Sequence, residues 1–99
     1  MALSAQQKKQ FRSVGHGLKP VVTIAGNGLS EGVLAETERA LEDHELIKIK
    51  IAVADRDIRK ECIESLCTST GAELVQESGK IALLFRQAKK RDERKSNLR

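Results

Sequence analysis

Ninety-nine residues, of which 39% are hydrophobic and 32% charged, suffice for one domain around one modest core. No apolar run approaches the length of a membrane span, and the amino end MALSAQQKK lacks the apolar stretch of a signal peptide, so a cytoplasmic protein is expected. The net charge of +4 resides in one place: residues 1–86 carry twelve basic and twelve acidic side chains, whereas 87–99 carry six basic and two acidic.

Charge is segregated within the neutral part as well. Residues 1–20 hold Lys8, Lys9, Arg12 and Lys19 with no acid, and residues 31–45 hold Glu31, Glu36, Glu38, Glu42, Asp43 and Glu45 against Arg39 alone. Such a polarised molecule favours an anionic partner met in one orientation.

In chain order, Ser4 and Gln7 form a capping box that predicts a helix to about Val14. Phe11 and Val14 would point inward, and Lys8, Lys9 and Arg12 outward, with Gly15 and Gly17 ending the helix. Lys19-Pro20 leads into a strand over Val21–Ile24, since proline is tolerated at a strand start. Ser30 is a natural N-cap for a second helix to about Asp43, with Val33, Leu34, Thr37, Ala40 and Leu41 at helical spacing. The strand signal is clearest in LIKIKIAV, where Ile47, Ile49, Ile51 and Val53 alternate with Lys48, Lys50 and Ala52. Asp55 can cap a third helix with Ile58, Cys62, Ile63, Leu66 and Cys67 as its apolar stripe, ended by Gly71. Leu74–Gln76 and Ile81–Phe85 flank Ser78-Gly79 and read as a hairpin. Beyond Arg86 no apolar period continues, so a single domain over 1–86 and a flexible basic tail over 87–99 are expected.

The order α-β-α-β-α-β-β implies a compact two-layer α/β sandwich with a four-stranded mixed sheet. Crossover-connected strands run parallel, and the last strand, arriving by hairpin, runs antiparallel.

The stretch VVTIAGNGLSEG places four β-branched residues before glycines at 26, 28 and 32, and then a helix start. A P-loop needs GK[ST], but Gly28 is followed by Leu29-Ser30. A dinucleotide fingerprint needs a third glycine where Glu31 stands. No HxxxH spacing occurs, and neither His16 nor His44 sits in a catalytic pattern, so an enzyme is not expected. Cys62 and Cys67, five apart, match neither zinc nor redox spacing and read as reduced core thiols. No metal or cofactor is implied.

A binding loop remains. Gly26 and Gly28 let a ligand approach the backbone closely, Asn27 lies between them, and the helix behind favours an anion at its amino end. Lys19 stands just before the strand that enters the loop. A sugar-phosphate backbone suits such a site; a turn whose glycines serve geometry alone is the competing reading. Phe11 and Phe85 are the only aromatics and fall at core positions, so base-stacking platforms are not expected and recognition would go through phosphates and backbone shape.

The string HGLKPVVTIAGNGLSEGVLAETERALEDHELIKIKIA closely resembles the bacterial YhbY-type proteins, which are stand-alone CRM domains (chloroplast RNA splicing and ribosome maturation). LKP, GNGL, the ELIKIKI strand and the late TG carry the likeness, which covers the chain from the first helix to the closing hairpin. It implies a fold similar to the C-terminal domain of bacterial translation initiation factor three. It also implies RNA binding, association with large-subunit ribosomal precursors, and a GxxG loop like that of KH domains. That loop falls on Ala25-Gly26-Asn27-Gly28, with alanine in place of the first glycine. Asn27 and Gly28 carry over directly, and Lys19 carries over with LKP.

The expected function is therefore that of a monomeric, non-catalytic RNA-binding protein assisting ribosome assembly. Gly26, Asn27 and Gly28 would meet the RNA backbone. Lys19, Lys8, Lys9 and Arg12 would neutralise phosphates, with Lys48 and Lys50 as further candidates. The alternative is a protein-interaction module that docks on a ribosomal protein through the acidic second helix.

Overall fold

A computed structural model describes residues 3–26, 28–89 and 94–98. Seven elements follow one another: α1 (Ala5–His16), β1 (Pro20–Ile24), α2 (Glu31–His44), β2 (Leu46–Ile51), α3 (Arg56–Thr70), β3 (Glu73–Ser78) and β4 (Ile81–Phe85). This is the expected order. The sheet runs β1-β2-β4-β3, with β1 parallel to β2 and β4 antiparallel to both of its neighbours. The last strand is thus inserted between β2 and β3. A central strand contacts protein on both faces, which explains why Ala82, Leu83 and Leu84 are all buried.

The helix ends follow the capping residues. Ser4 and Gln7 exchange side-chain-to-backbone bonds at 2.9 and 3.1 Å. Ser30 Oγ accepts from the Val33 amide, and Asp55 Oδ1 accepts from the Asp57 and Ile58 amides. Gly71 closes α3 at φ 76°, a left-handed conformation that glycine adopts without steric cost.

On one face of the sheet, α2 and α3 cover Val22, Ile24, Ile47, Ile49, Ile51, Ala82 and Leu84. These two layers are the expected sandwich. A partial third layer joins them: α1 lies across the opposite face, where Leu46, Val75 and Leu83 pack with Phe11, Leu18 and Phe85. The Phe11 and Phe85 rings meet there, centroids 4.8 Å apart.

Two apolar positions differ from expectation. Val14 is 36% exposed, because the residue of α1 that faces the sheet is Gly15, whose absent side chain allows the close approach; α1 accordingly runs through Gly15 to His16. Ile58, in the first turn of α3, is 45% exposed. Its four-residue steps to Cys62 and Leu66 drift around a 3.6-residue helix, so it leaves the buried stripe.

Candidate nucleic-acid interface

The sheet face under α1 is only partly covered, and the uncovered part is basic. Cross-strand pairing puts Lys48 opposite Leu83 and Lys50 opposite Ile81, so both lysines share this face with α1. A hollow of about 280 Å³ opens between the helix and the strands. Arg12 and His16, one helical turn apart, line it from α1, and Lys48 lines it from β2. Ile81 and Leu83 supply apolar surface, while Gln76 and Ser78 bring uncharged polar groups from β3. Among the described residues no carboxylate borders it. Lys8, four residues before Arg12, continues the same stripe of α1, and Lys9 is exposed off that stripe. Neither lines the hollow.

Sequence periodicity could not place Gln76. Leu74 pairs with Leu84 and Gln76 with Leu83, leaving Val75 as the extra residue of a β-bulge. Both Val75, beneath α1, and Gln76, in the hollow, therefore face the same way. His16 was missed because the helix was expected to end near Val14, whereas α1 reaches His16 and sets it four residues after Arg12; Gln76 and Ser78 gave no signal.

Lys48 also borders a second hollow of about 190 Å³, shared with Lys19, Val21 and His44. Lys48 thus joins the Arg12 side of this face to the Lys19 side. Lys50, exposed, is the next residue of the same face along β2 and pairs with Thr23 of β1. Two residues beyond Thr23 the glycine loop begins.

In that loop the Gly28 N–H donates to the Ala25 carbonyl at 3.0 Å. Gly28 has φ 82°, where a side chain would be strained, whereas Gly26 keeps an ordinary φ and a Cβ there would meet nothing within 4 Å. Asn27 lies outside the described residues. The N-terminus of α2 follows the loop, but Ser30 already engages the Val33 amide and Glu31 sets a carboxylate in the first turn. Its appeal to an anion is correspondingly reduced. The Ile51 amide donates to Lys80 and the Ala52 amide to Ile24, so the glycine loop and the β3–β4 turn occupy one end of the sheet, beside Lys50.

The acids of α2 lie on the other side, whereas Glu73, opposite Phe85, is on the α1 face and accepts from the Leu3 amide. On α2, Glu38 and Glu42 are held by Arg86 at 2.6 and 3.3 Å, and the same guanidinium donates to the Thr70 carbonyl. Two of the residues proposed for docking a protein partner are thus engaged within the domain.

Where the sequence suggests a flexible tail, the described parts of it return to the domain at Glu45. This residue is buried and has φ 64° and ψ −52°, unusual for a side-chain-bearing residue. Its carboxylate accepts from the Ala88 amide at 2.9 Å and the Ser96 hydroxyl at 2.7 Å. Asn97 donates to the Leu46 carbonyl, and Leu98 packs beside Leu46 on the α1 face. Nothing in the composition of 87–99 marks Ser96 and Leu98 as anchors.

Both cysteines are free thiols, Cys62 buried and Cys67 half-buried. Burial, and secondarily the Glu73 carboxylate, push the Cys67 thiol above its ordinary value, which lowers its thiolate content and hence its reactivity. Among the described residues no cluster of three or more His, Cys, Asp or Glu is placed to hold a metal, and no helix is long and apolar enough to cross a membrane.

The chain matches the family model of the CRS1/YhbY (CRM) domain over residues 3–86. It is 55% identical, over 99% of its length and 94% of the relative's, to a Pseudomonas aeruginosa protein named a "probable RNA-binding protein". It is 49% identical, over 85% of each chain, to a Haemophilus influenzae protein named "RNA-binding protein". The solution structure of a hypothetical Staphylococcus aureus protein, described as a candidate RNA-binding protein, superposes with a TM-score of 0.80 at 33% identity, covering 93% of this chain and 96% of that one. From its first helix to its closing strand, this chain belongs to the CRS1/YhbY (CRM) domain family.

Proposed function

We propose that this protein binds RNA through the sheet face beneath α1 and the adjoining glycine loop, and performs no reaction on it. The observation that carries the reading is the two-sidedness of the charge. Among the described residues, Arg12, His16 and Lys48 border one hollow free of carboxylates, Lys19 and Lys50 flank it along the strands, and the acids of α2 lie across the sheet. An extended polyanion can follow that face from α1 to the loop. The names of the relatives agree with it. In the fuller form of the proposal, the protein acts as a cytoplasmic monomer. Gly26, Asn27 and Gly28 meet the RNA backbone, Lys8 and Lys9 extend the contact along α1, and the RNA is that of large-subunit ribosomal precursors whose assembly the protein assists.

Sedimentation of a cell extract at low and high salt tests this. The protein should travel with free large subunits or their precursors at low salt and return to the top of the gradient at high salt, because phosphate contacts release counterions. Sedimentation as free protein at both salts would refute the ribosomal part. Docking on a ribosomal protein through α2, the rival idea, predicts little salt dependence, and it must also compete with Arg86 for Glu38 and Glu42.

A further inference from the structure

The hollow beneath α1 has a composition that phosphate binding alone does not require. Phosphate contact needs cations and backbone N–H groups. Here Arg12, His16 and Lys48 border a recess that also presents apolar Ile81 and Leu83 together with the amide of Gln76 and the hydroxyl of Ser78. Its 280 Å³ lies near the lower end of ligand-sized clefts, about 300–1,000 Å³, which suits one nucleotide and excludes a helical stem. The strand bulge at Val75 is what turns Gln76 into the recess, since strict alternation would send it to the face under α2 and α3.

We propose that this hollow takes one unpaired ribonucleotide of a single-stranded RNA segment and reads its base. The inference rests on the RNA-binding reading above and adds selectivity to it. An extruded base lays its face against the half-buried Ile81, and the guanidinium of Arg12 or the imidazole of His16 serves as the flat partner that no aromatic residue supplies here. The Gln76 amide offers both a donor and an acceptor, and Ser78 offers either, so together they match the edge of one base better than another. The phosphates on either side lie against Lys48 and, one strand pair nearer the loop, Lys50. Bases locked in a duplex cannot enter.

The test uses labelled single-stranded homopolymers of A, C and U, ten nucleotides long, and an A·U duplex of the same length. Anisotropy titrations compare the parent with Gln76→Ala, Ser78→Ala and Lys48→Ala. The parent should discriminate among the single strands by at least roughly five-fold, the lower end of what hydrogen bonds to a base edge provide, and should bind the duplex more weakly than its best single strand. Gln76→Ala should shrink that discrimination while leaving the salt slope unchanged. Lys48→Ala should weaken all single strands alike and reduce the slope by about 0.7. Homopolymers differ in self-stacking, so the decisive quantity is the discrimination lost on substitution. Gln76 is exposed, so the fold should survive; if Gln76→Ala melts early, Gln76→Glu at the same size takes its place. Salt-dependent binding with discrimination that Gln76 and Ser78 substitutions leave intact, or equal binding of the duplex, overturns the base-reading proposal and leaves backbone binding standing. No binding of any RNA by the parent overturns both.

Discussion

Gly28 and Gly26 stand two residues apart in one loop, yet the backbone treats them differently. Gly28 has φ 82°, where a Cβ crowds the following carbonyl, so Gly28→Ala should cost about 1–2 kcal/mol. Gly26 has no such constraint and open space where a Cβ would go, so Gly26→Ala should leave stability unchanged or raise it by up to ~1 kcal/mol through a stiffer unfolded chain. RNA binding separates their roles further. If the sugar-phosphate backbone lies against the loop, the methyl of Gly26→Ala occupies that approach and weakens binding with no loss in a urea melt. Unchanged affinity would remove Gly26 from the contact surface and leave Gly28 as a turn residue. The sequence presents these glycines as equivalent because a spacing pattern carries no φ.

At the scale of elements, the legible features were those written locally. The caps at Ser4, Ser30 and Asp55 and the alternation of Ile47, Ile49 and Ile51 fix where helices and strands lie, and each depends only on neighbours within a turn or a pleat. The hollow depends on distant contacts. It requires α1 to choose the face of the sheet opposite α2, and it requires the bulge at Val75; neither leaves a periodic trace. The seating of α1 turns on one atom that is missing. A Cβ on Gly15 would lie 2.5 Å from Cδ2 and 2.7 Å from Cδ1 of Leu83, which is itself 3% exposed and cannot swing away. Overpacking of this kind costs about 1–3 kcal/mol, against about 1 kcal/mol gained by replacing glycine inside a helix. Gly15→Ala should therefore be net destabilising, and lifting α1 should also widen the hollow and weaken RNA binding. Gly17→Ala, whose Cβ would meet nothing nearer than 3.9 Å, is the matched control. Equal urea midpoints for the two variants would mean that α1 does not sit against Leu83.

For the molecule as a whole, the question is how its surplus charge reaches the partner. All of the net +4 belongs to residues 87–99, and composition alone treats that segment as an appendage whose removal would leave the fold intact. The structure argues against using truncation as the test. Glu45 is 4% exposed, and its carboxylate bonds to the Ala88 amide and the Ser96 hydroxyl. Deleting the tail would strip these partners from a buried charge and uncover the site of Leu98. Hydrogen bonds to charged groups contribute about 1.5–3 kcal/mol each, so truncation should lower stability and confuse lost folding with lost contact. A charge-only variant avoids this. Lys89→Gln and Lys95→Gln together keep Ala88, Ser96, Asn97 and Leu98, and therefore the anchorage at Glu45. The Lys95–Asp43 pair that is lost spans 4.0 Å between partly exposed groups and contributes little. If the tail meets phosphates, the double variant should melt as the parent does while log affinity falls less steeply with log salt, by about 0.7 for each contact removed from single-stranded RNA. An unchanged slope at unchanged stability would confine phosphate contact to the α1 face and the loop, and would make the tail a strap that closes the fold at Glu45.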